Sequence, residues 1–152
     1  MTRTQRPELA EALADGLHNI GDAARLSGVS AKMIRHYEAI GLIPPAGRTF
    51  AGYRIYSDAD LHRLRFIKRS RSLGFPVKQI GILLGLWDDR ERASSEVKRL
   101  AESHAEELGR KIAEMQAMQR TLQQLARRCH GDDRPDCPIL DDLAGPDSVG
   151  AT

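Results

Sequence analysis

Apolar residues recur at three- and four-residue steps along most of the chain, and the breaks in that rhythm mark its elements. Ile20, Ala23, Ala24 and Leu26 share one helical face; the pattern stops at Ser27-Gly28 and resumes with Val29, Met33, Ile34 and Tyr37. Ser30 is a fitting N-cap for the second of these helices, and Gly41 closes it. Two short amphipathic helices around a Gly-containing turn predict a helix-turn-helix unit. Pro44 and Pro45 end it, after which Arg48-Thr49-Phe50 and Tyr53-Arg54-Ile55-Tyr56 flank a turn and predict a small hairpin, a wing. Ser57 or Asp58 then caps a helix carrying Leu61, Leu64, Ile67 and Lys68, which ends near Leu73-Gly74-Phe75. Pro76 opens another with Ile80, Leu83 and Leu84, weakened toward its end by Gly85.

From about Ser94 to Arg128 the pattern changes scale. Val97, Leu100, Ala101, His104, Leu108, Ile112, Met115, Met118, Leu122 and Leu125 hold one stripe, with no proline and only Gly109 as a weak helix former. Some 35 residues at roughly 1.5 Å each make a rod of about 50 Å. No later helix covers that stripe, so a second copy of the chain is the expected partner, with folding back onto the first half as the alternative. The fold class is therefore mainly α. Residues 1–18 are read as a flexible extension, polar with some helical character around Glu8 to Leu17. Residues 19–87 form the winged helix-turn-helix domain, 88–128 a linker and dimerisation helix, 129–143 a loop with a short helix, and 144–152 a flexible tail.

Among the 152 residues, 41% are hydrophobic and 29% charged, the balance of a soluble protein. The first nineteen residues lack the apolar run of a signal peptide and no stretch of eighteen apolar residues occurs, so a cytoplasmic protein without a membrane partner is expected. The net charge of +2 conceals an asymmetry: Ile20 to Leu86 carries eleven Lys/Arg against four Asp/Glu, and Trp87 to Thr152 ten against fourteen. A basic half suggests a polyanionic partner, with solvated charged faces as the plain alternative. Lys32, Arg35, His36 and Tyr37 stand on the second helix of the unit, where a recognition helix meets base edges and phosphates. Arg48, Tyr53, Arg54 and Tyr56 in the wing repeat the theme, and Arg65, Lys68, Arg69 and Arg71 extend it.

Both cysteines, Cys129 and Cys137, lie in RRCHGDDRPDCPIL. In a reducing compartment such a pair favours a metal or redox role over a structural disulfide. Zinc normally takes four ligands and iron–sulfur clusters four cysteines, whereas a monovalent d10 ion accepts two thiolates, leaving net charge −1. Pro138 after Cys137, followed by Ile139, Leu140 and Leu143, predicts a short helix capped by Cys137, whose unpaired N–H groups favour a thiolate. His130, Asp132, Asp133 and Asp136 would complete a divalent-ion site; as residues of a Gly- and Pro-containing loop they read more simply as water-facing. A reversible disulfide is the remaining alternative. His104, Met115 and Met118 are ligands by chemistry alone and packing residues by position. No paired carboxylates, nucleophile–base set or phosphate loop points to an enzyme.

MIRHYEAIGLI, then GYRIYSDADLHRLRFI, then LGFPVKQI together resemble the N-terminal domain of the MerR family of transcription regulators. The Cys-x7-Cys loop after the long helix resembles the copper-efflux subgroup of that family, the CueR/HmrR type; the resemblance spans roughly residues 19–143. It implies a homodimer with its winged domains at opposite ends of an antiparallel coiled coil, bound to double-stranded promoter DNA whose two polymerase elements are spaced too far apart. Both metal-free and metal-bound dimers would bind, and the metal-bound form would bend and untwist the DNA so that RNA polymerase engages both elements. Carried over by motif, Lys32, Arg35, His36 and Tyr37 lie on the recognition helix, Arg48, Tyr53 and Arg54 in the wing, and Arg71 on the next helix. His36 departs from the aromatic residue that family members often carry. Divalent-ion sensors resembling this family have a third cysteine near the start of the long helix; Ser94 stands there, as a selectivity position or simply an N-cap. The implied cofactor is Cu(I), with Ag(I) or Au(I) equally suited, and the implied role is activation of metal-efflux genes. A zinc regulator or a thiol redox sensor using the same cysteines is the alternative.

Overall fold

Asn19 starts the helix-turn-helix: its side-chain oxygen accepts the Asp22 N–H at 2.7 Å and caps helix α2 (Ile20–Ser27). The structure, a computed structural model, describes residues 6–145. Gly28, at φ 75°, ends α2 in the left-handed region that disfavours side chains. The Ser30 hydroxyl then takes the Met33 N–H at 3.2 Å and starts α3 (Ala31–Ala39). Leu26, expected to face inward, is exposed, and Ser27 is buried in its place. At 100° per residue the positions following Ile20, Ala23 and Ala24 on the inner face come round to 27, and the Ser27 hydroxyl is tolerated there because it accepts the Val29 N–H at 3.1 Å.

Three short strands form an antiparallel sheet in the order β1-β3-β2: β1 (His18–Asn19), β2 (Gly47–Arg48) and β3 (Arg54–Tyr56). His18 pairs with Tyr56 and Asn19 with Ile55 on one side of β3; Gly47 pairs with Ile55 and Arg48 with Arg54 on the other. Helix α4 (Asp58–Ser72) begins with a reciprocal capping box: Ser57 Oγ accepts the Asp60 N–H at 3.2 Å, and Asp60 Oδ2 accepts the Ser57 N–H at 3.0 Å. Helix α5 (Val77–Asp88) packs beside α4 through the Phe66 and Trp87 rings, 5.9 Å apart, and the Arg63–Asp88 ion pair. Ile34 and Tyr37 of α3, Tyr56 of β3, Leu64 and Ile67 of α4, and Ile80 and Leu84 of α5 close one apolar core.

The segment before residue 19 is more ordered than its polarity suggests. Residues 1–5 lie outside the described residues, but Leu9–Ala14 is a helix, α1, and His18 belongs to β1. The Glu8 N–H donates to Glu11 Oε2 at 3.4 Å, Ala12 is wholly buried, and the Pro7 carbonyl accepts the Phe50 N–H at 2.9 Å. His18 Nε2 also meets Asp58 Oδ1 at 2.9 Å. The helical character noted around Glu8 to Leu17 corresponds to α1, while one buried alanine and a two-residue strand leave no core-facing period to show that the segment packs. Most of the tail expected at 144–152 lies outside the described residues, although Ala144 ends helix α7 (Pro138–Ala144) and Gly145 caps it.

The chain divides into two compact units, Met1–Val97 and Lys98–Thr152. The first holds α1 to α5, the sheet and the opening turn of α6 (Ser94–Arg128); the second holds the rest of α6 and α7. Within the second unit Leu125 is buried, beside a groove of about 480 Å³ that Met118, Leu122 and Leu143 also line. Ile112, Met115, Met118 and Leu122 nevertheless remain exposed along α6. Among the described residues no helix is long and apolar enough to cross a membrane.

Candidate nucleic-acid interface and metal centre

Helix α3 separates its two faces cleanly. Ile34 and Tyr37 turn into the core, and Lys32, Arg35 and His36 are exposed on the other side. Tyr37, expected among the outward residues, is only 5% exposed; three residues after Ile34, it lies on the buried face and serves packing. Three cationic or polar side chains thus project together from one short helix, the arrangement needed to meet a groove and its phosphates.

The wing is built around Thr49, a residue without apparent importance in the sequence. It is fully buried; its N–H donates to the Tyr53 carbonyl at 2.8 Å, its Oγ1 accepts the Tyr53 N–H at 3.0 Å, and its carbonyl accepts the Gly52 N–H at 2.9 Å. Gly52, at φ 88°, supplies the left-handed residue of this turn. Phe50 and Tyr53 are left exposed at the tip. Arg48 Nη1 donates to the Gly52 carbonyl at 3.0 Å, so the guanidinium braces the turn. Arg54 Nε donates to Glu38 Oε2 at 3.2 Å, and Glu38 Oε1 accepts the Ala46 N–H at 3.1 Å. Glu38 therefore joins α3 to both arms of the wing, a role nothing in its sequence context signalled beyond its being an acid on a cationic helix. Tyr56, expected to reach phosphates, is instead 1% exposed, part of the apolar core with Ile34, Leu64 and Ile67. Arg71 stands exposed in the last turn of α4, where the helix dipole favours a cation.

Cys129 follows α6 directly, its N–H shared between the Leu125 and Ala126 carbonyls at 3.2 Å each. Cys137 is the N-cap of α7, with Pro138 at the first helical position, as the CPIL pattern predicts; its side chain makes no capping hydrogen bond. Both thiols are free and half-buried. Between them Asp132 is held by Arg134: Oδ2 accepts from Nε at 2.8 Å and Oδ1 from the backbone N–H at 3.0 Å. That hydrogen bonding keeps the Asp132 carboxyl below the usual carboxylate range. Among the described residues no three His, Cys, Asp or Glu side chains gather into a group fit for a metal ion. Cys129 and Cys137 each offer a thiol, the donor type that soft metal ions favour. Ser94 is exposed and is the first residue of α6 rather than its cap. His104 is buried on α6, whereas Met115 and Met118 are exposed.

Two family descriptions match the chain: "MerR family regulatory protein" over residues 19–56 and "MerR, DNA binding" over residues 61–125. The chain is 62% identical over 126 residues to heavy metal-dependent transcription regulator 2 of Rhizobium meliloti, covering 83% of this chain and 86% of that one. It is 40% identical over 127 residues to the HTH-type transcriptional regulator CueR of Escherichia coli, covering 84% and 94%. Among solved structures it resembles the transcription regulator PbrR691 from Ralstonia metallidurans CH34 in complex with lead(II), with TM-score 0.72, 32% identity, and coverage of 83% and 98%.

Proposed function

The chain belongs to the MerR family of transcription regulators, and from that premise we propose that it is a cytoplasmic, copper-responsive activator of metal-efflux genes. It is a DNA-binding regulator and not an enzyme. The observation that carries the choice of ion is the donor set: two half-buried free thiols, Cys129 and Cys137, with the neighbouring Asp132 already engaged by Arg134. Cys129 and Cys137 would hold a Cu(I), Ag(I) or Au(I) ion as thiolate donors, and the bound ion would supply a cross-link between the two ends of the loop.

The remaining work falls to the chain. Lys32, Arg35 and His36 of α3 meet the groove and phosphates of the operator, with Arg71 beyond them and the Glu38-braced wing alongside. Two copies associate along the exposed Ile112, Met115, Met118 and Leu122 stripe, which presents two recognition helices to a two-fold-related promoter site. Metal binding shifts the dimer toward the state that bends and untwists the DNA between the half-sites, and RNA polymerase then engages both promoter elements. Ser94 stands where the family resemblance puts the third cysteine of divalent-ion sensors, and a serine there supports the monovalent ion.

The test is transcription in vitro from the protein's own promoter across a panel of ions. We expect activation by Cu(I), Ag(I) and Au(I) and none by Zn(II) or Pb(II). Cys137→Ser should abolish metal binding and activation while leaving metal-free operator binding intact, and Arg35→Ala should do the reverse. Activation by Zn(II) that depends on His130 would sink the copper assignment; activation by peroxide without metal, lost in Cys129→Ser, would replace it with a redox sensor.

A further inference from the structure

We propose that the N-terminal segment is an additional DNA contact: pinned to the wing turn at Pro7, it delivers Arg6 to the phosphate backbone beside the wing. The proposal rests on the DNA-binding reading above and extends it to a part of the chain that precedes the family match at residue 19.

Three observations converge on it. The first is attachment at both ends: the Pro7 carbonyl accepts the Phe50 N–H of the wing turn at 2.9 Å, and His18 pairs with Tyr56 in β1. Between those points Ala12 of α1 is wholly buried, so the segment is part of the folded unit. Arg6 is consequently one peptide, about 3.8 Å from Cα to Cα, away from the wing contact, and it is exposed.

The second is the state of the wing's own arginines. Arg48 bonds the Gly52 carbonyl and Arg54 the Glu38 carboxylate, while the tip displays Phe50 and Tyr53. A wing whose cations are engaged in bracing gains a phosphate ligand from an adjacent segment.

The third is charge. Residues 1–7 contain Arg3 and Arg6 and no acid; the carboxylates begin at Glu8. Glu8 and Glu11 are reciprocally engaged with the backbone of the first turn of α1. An anchored cation facing a polyanion loses little freedom on binding, so its contact adds affinity efficiently.

The test compares the full chain with Arg6→Ala and with Arg6→Lys, measuring operator affinity from low to high salt. Each phosphate contact contributes about 0.9 to the slope of log affinity against log salt. We expect Arg6→Ala to lower that slope by about 1 and weaken binding several-fold at low salt, and Arg6→Lys to retain both. Thermal stability and Cu(I) affinity should not move. An unchanged slope in Arg6→Ala would overturn the proposal, reducing the segment to a mechanical brace of the wing. Failure of the unmodified chain to bind its operator would overturn this contact together with the DNA-binding reading itself.

Discussion

Tyr56 carries a buried hydroxyl with no hydrogen-bond partner among the described residues. Burial pushes its pKa up to about 12, and the Glu38 carboxylate adds to the rise while Arg54, Arg35 and Arg48 oppose it. The folded state therefore keeps the phenol neutral where an unfolded chain, at its ordinary value of 10.0, would ionise it. The group leaves stability unchanged with pH below about pH 10, and stability falls as pH rises from there through the folded value near 12. Urea unfolding followed across that range should show stability falling steeply in the native chain and less so in Tyr56→Phe. At pH 7 the same substitution should be neutral or mildly stabilising, because it removes a buried polar atom that has no partner. A loss at pH 7 above about 1 kcal/mol would mean that the hydroxyl is satisfied after all.

At the scale of elements, the wing is positioned by α3 and not only by its own hairpin. Glu38 accepts hydrogen bonds from Arg54 Nε and the Ala46 N–H, and the ion pair is partly sheltered, its side chains 30% and 15% exposed. Glu38→Ala strands a half-buried guanidinium and an amide together. We expect it to cost about 1 to 3 kcal/mol of stability in chemical unfolding, toward the lower end because water still reaches the arginine. Operator binding should weaken by more than the stability loss explains, since the wing loses its fixed relation to the recognition helix. If affinity were unchanged in a variant that remains folded at the assay temperature, the clamp would be structural alone.

For the whole molecule, the stripe on α6 is the surface on which the proposed dimer rests. Ile112, Met115, Met118 and Leu122 are between 56% and 66% exposed, a continuous apolar surface on a helix of 35 residues. Placing Met115→Lys and Leu122→Lys on it should convert a dimer to a monomer in sedimentation equilibrium. Operator affinity should fall by orders of magnitude, because a monomer meets only one half-site. Helix content should be retained in unit Met1–Val97, whose core lies elsewhere. A monomeric native chain would assign the stripe another role.

Helices α2 to α7, the Ser30 and Ser57 caps and the helix start at Cys137-Pro138 are legible in the sequence, because each depends on neighbours within a few positions. Ser30, Ser57, Gly28 and Pro138 act through local backbone geometry, and the α6 stripe repeats over ten positions. The ordered combination of those elements also carried the family. Which polar residues face outward is set by packing between elements distant in the chain. Tyr37 and Tyr56 turn into the core, and Arg54 is bound sixteen residues back at Glu38. Likewise α1 and β1 acquire order through a carbonyl at Pro7 meeting an amide at Phe50, forty-three positions apart. Such bonds join groups that every residue or many residues carry, so no local pattern distinguishes the ones that form; packing selects them.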